Sequence, residues 1–284
     1  MNEHNFTIPP AKSSHDAAVE LAFFKSAGKT ENIAAGKIIF AENTKGNRLL
    51  LQRNKMYLLL EGEVKLTANE KPVCTVRKGE IFGEMASINQ AARSATATAK
   101  TACSVISLDD KQFLSTLHNN PEFSLILMGI MVRRMRKMIA QLNADGTLSA
   151  DEEWKESAVF DKKLLADLVR KLGDGARIRY GHGKVIMQEG QGGILMYVVL
   201  EGSVAVAIKN SVVEKVGAGG MFGEMALIER TERLASAVAE TDCSLLAINR
   251  NTFLDLVRDN PEFGVALLSA VSERARFIAS RYAL

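Results

Sequence analysis

The sequence is poor in the residues that staple or stiffen small extracellular scaffolds: it has 3 cysteines, 5 prolines and 1 tryptophan in 284 residues, with aromatics at 6%. Cys74, Cys103 and Cys243 are odd in number and widely scattered. That spacing excludes a disulfide framework and a paired-cysteine zinc site, and it makes them reduced core thiols. The four histidines, His4, His15, His118 and His182, lie far from one another and from any cysteine, so no metal ligand set is expected. No apolar run is long either: the longest, Leu125 to Val132, is far short of the ~20 residues that cross a bilayer. The opening MNEHNFTIPP has no basic patch followed by an apolar stretch, so no secretory signal is read there, and a cytoplasmic address is expected without a membrane. Lys and Arg (36) nearly balance Asp and Glu (33), for a net charge of +3, which disfavours nucleic acid held by bulk charge.

Self-similarity fills the space these absences leave. Glu61-Gly62 returns as Glu201-Gly202, Phe82-Gly83-Glu84-Met85-Ala86 as Phe222-Gly223-Glu224-Met225-Ala226, and Asn120-Pro121-Glu122-Phe123 as Asn260-Pro261-Glu262-Phe263, always displaced by 140 residues. A repeat of this length is a whole domain, so the chain reads as a tandem pair. Upstream the displacement is 147, from Gly36-Lys37-Ile38 to Gly183-Lys184-Val185, which puts seven extra residues of the first copy between Ala41 and Met56. Alternating segments such as Val204, Val206 and Ile208 read as antiparallel strands, and helical periodicity flanks them. Asp161 is a plausible cap for Leu164, Leu165, Leu168 and Val169, and Pro121 and Pro261 sit at first helical turns. The expected fold class is mainly β with flanking α: two barrels, each with N-terminal and C-terminal helices. The boundaries expected are 1–143 for the first domain, 144–160 for a linker and 161–284 for the second.

The segment from Gly79 to Ala97 carries the chemistry. Phe82 anchors a strand end, Gly83 lets backbone approach a ligand, and a short helix starting at Glu84 aims its first amides at an anion. Arg93 adds a planar fork suited to two phosphate oxygens, and Ser94 adds a hydroxyl. A carboxylate such as Glu84 repels phosphate and makes sense only beside hydroxyl donors, as on a ribose. An anion seat beside a hydroxyl acceptor points to a nucleotide. Each residue also has a purely structural use: Gly83 and Gly223 as turn glycines, Glu84 and Glu224 as dipole partners, Arg93 and Arg233 as solvated surface arginines.

Both segments resemble the phosphate-binding cassette of the cyclic nucleotide-binding domain family, whose pattern is Phe-Gly-Glu, an aliphatic residue, Ala, a variable stretch, then Arg, a small residue and Ala. The resemblance implies a pair of double-stranded β-helix (jelly-roll, cupin-like) barrels and a non-enzymatic receptor for cAMP or cGMP, with no further cofactor. It implies ligand contacts from Phe82, Gly83, Glu84, Met85, Ala86, Arg93, Ser94 and Ala95, and from Phe222, Gly223, Glu224, Met225, Ala226, Arg233, Leu234 and Ala235. Glu84 and Glu224 would take the ribose hydroxyl; Arg93 and Arg233 would take the cyclic phosphate.

The copies differ. Ser94 follows the first Arg, whereas bulky Leu234 follows the second. The preceding loop reads Glu189-Gly190-Gln191-Gly192 in the second copy, while Ala41 to Lys55 lacks that pattern. The resemblance puts the base against the helix after each barrel: Met135, Met138 and Ile139, with Arg134 or Arg136, in the first copy, and Phe277, Ile278 and Ala279, with Arg274 or Arg276, in the second. The basic cluster Arg133, Arg134, Arg136 and Lys137 reads as a solvated face opposite Leu127, Ile130, Met131 and Met138, an apolar stripe that suits an interface, within the chain or in a homodimer.

The expected output is a ligand-dependent shift of these helices, passed to an effector protein. A regulatory subunit of a cyclic nucleotide-dependent kinase shares the tandem layout, but Lys12-Ser13-Ser14 is no Arg-Arg inhibitor segment. A scaffold with degenerate cassettes is the other alternative; it predicts loss of a Glu or Arg that both copies retain.

Overall fold

The computed structural model describes residues 14–46, 53–144, 154–155 and 158–282. Six of the residues in the long loop of the first copy, 47–52, lie outside this set, as do Lys12-Ser13 and most of the segment expected as linker.

In the first copy, helix α1 (Ser14–Ala27) precedes β1 (Lys29–Ile33), β2 (Ile38–Phe40), β3 (Lys55–Glu61), β4 (Val64–Ala68), β5 (Lys71–Val76) and β6 (Ile81–Phe82). The short helix α2 (Glu84–Asn89), β7 (Thr96–Ala99), β8 (Cys103–Asp109), α3 (Asp110–Asn119) and α4 (Phe123–Ala144) follow. After β9 (Trp154–Lys155), the second copy runs α5 (Lys162–Leu172), β10 (Arg177–Tyr180), β11 (Val185–Met187), β12 (Leu195–Glu201), β13 (Val204–Ile208), β14 (Ser211–Val216) and β15 (Met221–Phe222). It closes with α6 (Glu224–Glu229), β16 (Ser236–Ala239), β17 (Cys243–Asn249), α7 (Arg250–Asp259) and α8 (Pro261–Tyr282).

Each copy folds into two antiparallel sheets. The first has strand orders β1-β8-β3-β6 and β2-β7-β4-β5; the second has β10-β17-β12-β15 and β11-β16-β13-β14-β9, in which β9 alone runs parallel to its neighbour. The inner faces of each pair meet as a barrel core: Leu59, Val64, Phe82 and Val105 in the first, Val199, Val204, Phe222 and Leu245 in the second. This is the mainly β barrel fold with flanking helices that the alternation implies. Gly62 shows why the Glu-Gly pair repeats. Its φ is +93°, and a Cβ there would lie 2.4 Å from the Ala102 carbonyl oxygen.

Helix starts follow their caps. Asp161 accepts from the Leu164 amide, and Asp109 and Gln112 form a reciprocal capping box on α3. Pro261 is the first residue of α8, whereas Pro121 sits in the turn just before α4.

Compactness divides the chain into residues 1–126 with 279–284, and residues 127–278, so the division falls inside α4 rather than at its end. Beyond Ile126, α4 contributes to the second unit, where Ile139 joins the second barrel's core. The segment expected as linker is partly structured: Trp154 and Lys155 pair in parallel with Glu214 and Lys215 of β14, and Phe160 is fully buried, stacked 5.5 Å from Phe263. In the first unit the helices meet through phenylalanine. Phe23 stacks on Phe123 at 3.6 Å between centroids and meets Phe113 edge-on. Phe23→Ala is therefore expected to cost about 3–5 kcal/mol, read as a lower urea midpoint with an unchanged m-value. A loss below about 1 kcal/mol would show that the cluster does not hold these helices.

Candidate ligand-binding site

The cassette begins where a two-residue strand ends. Phe82 and Phe222 are buried and stack on Tyr57 and Tyr197, at 5.0 Å and 5.2 Å between centroids. Gly83 and Gly223 then turn the chain through left-handed φ values of 74° and 81° and start α2 and α6, leaving neither helix a side-chain cap.

Arg93 and Arg233 lie inside this turn, each 5% exposed. Arg93 Nη1 donates to the Gly83 carbonyl and Nη2 to the Lys55 carbonyl, both at 2.8 Å. Arg233 Nη1 donates to Gly223 at 2.7 Å and Nη2 to Leu195. A Cβ at Gly83 or Gly223 would lie 2.9 Å or 2.7 Å from the same Nη1, so glycine serves the arginine as well as the turn. The solvated-surface alternative is thus excluded for both. Arg93 also lies 4.1 Å above the Phe40 ring, a contact that nothing in the sequence pattern announces. Burial lowers the pKa of both guanidiniums, opposed by the neighbouring Tyr57 and Glu84 in one copy and Tyr197 and Glu224 in the other.

The loop before β3 or β12 clasps the backbone of the same arginine. Gly190 donates to Arg233 O at 2.9 Å and Arg233 donates to Gln191 O at 2.8 Å. In the first copy Asn43 and Thr44 make the equivalent pair, at 2.9 Å and 2.8 Å, with Asn43 in the left-handed region at φ 61°. The first loop therefore keeps the geometry while departing from the sequence pattern, because asparagine tolerates the backbone that glycine usually supplies. Its insertion falls after this clasp.

Glu84 and Glu224 are buried at the first position of α2 and α6. Ala86, Ala226 and Ala235 are also buried, and Met85, Ser94, Ala95 and Met225 are half-buried beside them. Leu234 packs against the second barrel's core.

Sequence reasoning missed the partners of Glu224. Arg274 of α8 donates through Nη1 to Glu224 Oε1 at 2.7 Å, and through Nη2 to Glu214 Oε1 at 2.8 Å and to the Met221 carbonyl at 2.5 Å. Of the two arginines, Arg274 or Arg276, expected to offer a stacking cation, Arg274 is an ion-pair partner of the cassette acid. Glu214 lies on β14, and the first copy has Cys74 at the matching position, 140 residues earlier. One guanidinium thus joins two carboxylates from β14 and α6.

The basic face of α4 is not simply solvated either. Arg133 pairs with Glu229 at 2.9 Å and Arg136 Nη2 donates to Glu232 O at 3.0 Å, so these cations grip α6 and the loop after it. Ile139 and Ile278 both pack against the second barrel, which corrects the expectation that Ile139 faces the first.

Among the described residues no cluster of three His, Cys, Asp or Glu could hold a metal ion, and no helix is long and apolar enough to cross a membrane. The family model described as cyclic nucleotide-binding domain matches residues 30–120 and 177–260. A cGMP-dependent protein kinase of Eimeria tenella is 25% identical over 205 residues, 72% of this chain, and the chain spans only 18% of that kinase. Among solved structures, the regulatory domain of Toxoplasma gondii PKA crystallised with cAMP is 23% identical, with 88% of each chain covered and a TM-score of 0.32. Thermus thermophilus catabolite activator protein is 22% identical over 50% of this chain and 62% of its own, with a TM-score of 0.40.

Replacing Arg274 with Met would leave Glu214 and Glu224 buried without their cation. A destabilisation of about 3–5 kcal/mol is expected at neutral pH, seen by calorimetry as a lower melting temperature. A change under about 1 kcal/mol would show the pair to be as weak as an exposed one.

Proposed function

The chain belongs to the cyclic nucleotide-binding domain family, and from that premise we propose that it is a non-enzymatic receptor that holds cAMP in both cassettes and passes the binding event to an effector protein through α4 and α8. The observation that carries this reading is the doubled constellation of buried arginine, left-handed glycine and buried glutamate, intact in both copies. In it, Arg93 and Arg233 neutralise the cyclic phosphate and Glu84 and Glu224 accept from the ribose hydroxyl. Pre-aligned guanidiniums, already tied to two carbonyls each, lose little freedom when the ligand arrives.

Transmission follows from the same contacts. A sugar hydroxyl that donates to Glu224 changes its bond to Arg274, and α8 feels that change directly. A phosphate that orders α6 and its loop acts on α4 through Arg133 and Arg136. The ligand shifts these helices only as far as it binds one arrangement better than the other. The similarity to a cyclic nucleotide-dependent kinase favours a second reading, the regulatory portion of such a kinase.

Calorimetric titration of the full chain with cAMP and with cGMP tests the proposal. Two equivalents of cAMP are expected, reduced to one by Arg93→Ala and by Arg233→Ala separately, with cGMP at least about tenfold weaker, a difference of roughly 1.4 kcal/mol. No heat with either nucleotide on a folded sample would overturn it in favour of a scaffold.

A further inference from the structure

The two copies diverge sharply at one place beside the cassette. In the first, the residues just before β3 fill the space next to α2. Asn54 Nδ2 donates to Ala86 O at 3.1 Å and to Ala91 O at 3.0 Å, and Arg53 pairs with Asp110 at 2.9 Å. The four equivalents in the second copy, 140 residues on, are Gly193 for Arg53, Ile194 for Asn54, Arg250 for Asp110 and Arg230 for Gln90. Two filling side chains are thereby lost, one to glycine and one to an isoleucine that is 77% exposed, and an acid is replaced by a base.

The result is a cavity of about 740 Å³ with Arg136, Arg230 and Arg250 on its walls and Ala226 and Leu227 among its apolar lining. Its size falls in the usual range for small-molecule sites, roughly 300–1,000 Å³. Glu232 is the acid at its rim, with its side chain exposed.

The first copy builds the same elements with Gln90 and Asp110 where the second has Arg230 and Arg250. Gln90 and Arg230 end α2 and α6 in the same left-handed conformation, φ 51° and 55°. Asp110 and Arg250 both open the helix after the last strand, where an acid complements the helix dipole and a cation opposes it. Arg250 is thus placed at a cost that the first copy avoids. The buried Nε atoms of Arg136 and Arg250 have no hydrogen-bond partner, and Arg230, whose amide donates to the Ala226 carbonyl, has an exposed side chain. Burial, and then the like charge of Arg230, lower the pKa of Arg250. Glu229 and Glu224 offset part of the Arg136 charge, so the excess positive charge of the cavity sits on Arg230 and Arg250.

We propose that this cavity is a separate ligand site for a small phosphate-bearing anion, whose phosphates lie between Arg136, Arg230 and Arg250 in place of the carboxylate that Asp110 supplies in the first copy. Planar guanidiniums suit phosphate oxygens, and Ile194 with Leu227 offers an apolar surface for a base or similar flat group. Because Arg136 belongs to α4, an anion held there would tie α4 to α6 independently of the cassette.

The test is calorimetric titration of the full chain with pyrophosphate and with ATP, with and without saturating cAMP. One equivalent of pyrophosphate is expected, unaffected by cAMP and retained by Arg233→Ala. Arg230→Gln and Ile194→Asn, which restore residues of the first copy, are expected to weaken it about tenfold each, with the melting temperature unchanged. Arg250→Gln should weaken it further, but Arg250 also donates to the Leu227 carbonyl, so the exposed pair of variants carries the decision. Tighter binding of ATP than of pyrophosphate supports a nucleotide as the source of the phosphates; equal binding supports a bare phosphate compound. Absence of binding by either probe, equal binding by Arg230→Gln and the parent, or loss in Arg233→Ala alone would overturn the proposal. The last outcome would place the anion in the cassette. The cAMP titration is read separately, so failure of either site leaves the other measurable.

Discussion

A guanidinium bonded to two main-chain carbonyls organises each half of this molecule. Arg93 and Arg233 each join the carbonyl of the cassette glycine to the carbonyl that starts the long central strand, and each has its own backbone clasped by the loop before that strand. Three segments distant in sequence are thereby fixed about one charge. The arrangement tolerates only glycine at the turn, because a side chain there would meet the guanidinium itself. Burial makes each charge more effective than it would be in water.

The acid of the cassette is governed from farther away. Glu224 starts α6 but is bonded to Arg274, fifty residues later on α8, together with Glu214 on β14. Such a cluster contributes little net stability over an apolar replacement, but it ties α6, α8 and β14 together. A group that alters one member is felt by the helix that carries another. The first copy has Cys74 in place of Glu214, so its acid is held without that second carboxylate.

Duplication lets one copy serve as the control for the other. Asn43 in place of Gly190 shows that the clasp on the arginine survives a change of residue type, since both adopt the left-handed conformation. The replacement of Arg53, Asn54 and Asp110 by Gly193, Ile194 and Arg250 is of a different kind. It exchanges a set of side chains with no net charge for one with a single positive charge, while the elements around it keep their bounds. The same fold thus carries two similar cassettes and two dissimilar flanks.

The duplication, the strands, the helix caps and the cassette are legible in the residues alone, because each rests on local rules: alternation, capping residues, and glycine at tight turns. The sequence also placed Glu84 with Arg93, and Glu224 with Arg233, since a strand end, a turn and a short helix bring neighbours in sequence together. Only the tertiary structure decided what those residues touch. Phe40 over Arg93, Arg274 between two acids, Ile139 in the second barrel and Arg133 on Glu229 join positions fifty or more residues apart. No periodicity records such pairings: a charged helix face looks the same in sequence whether water or another element satisfies it, and only packing chooses between them.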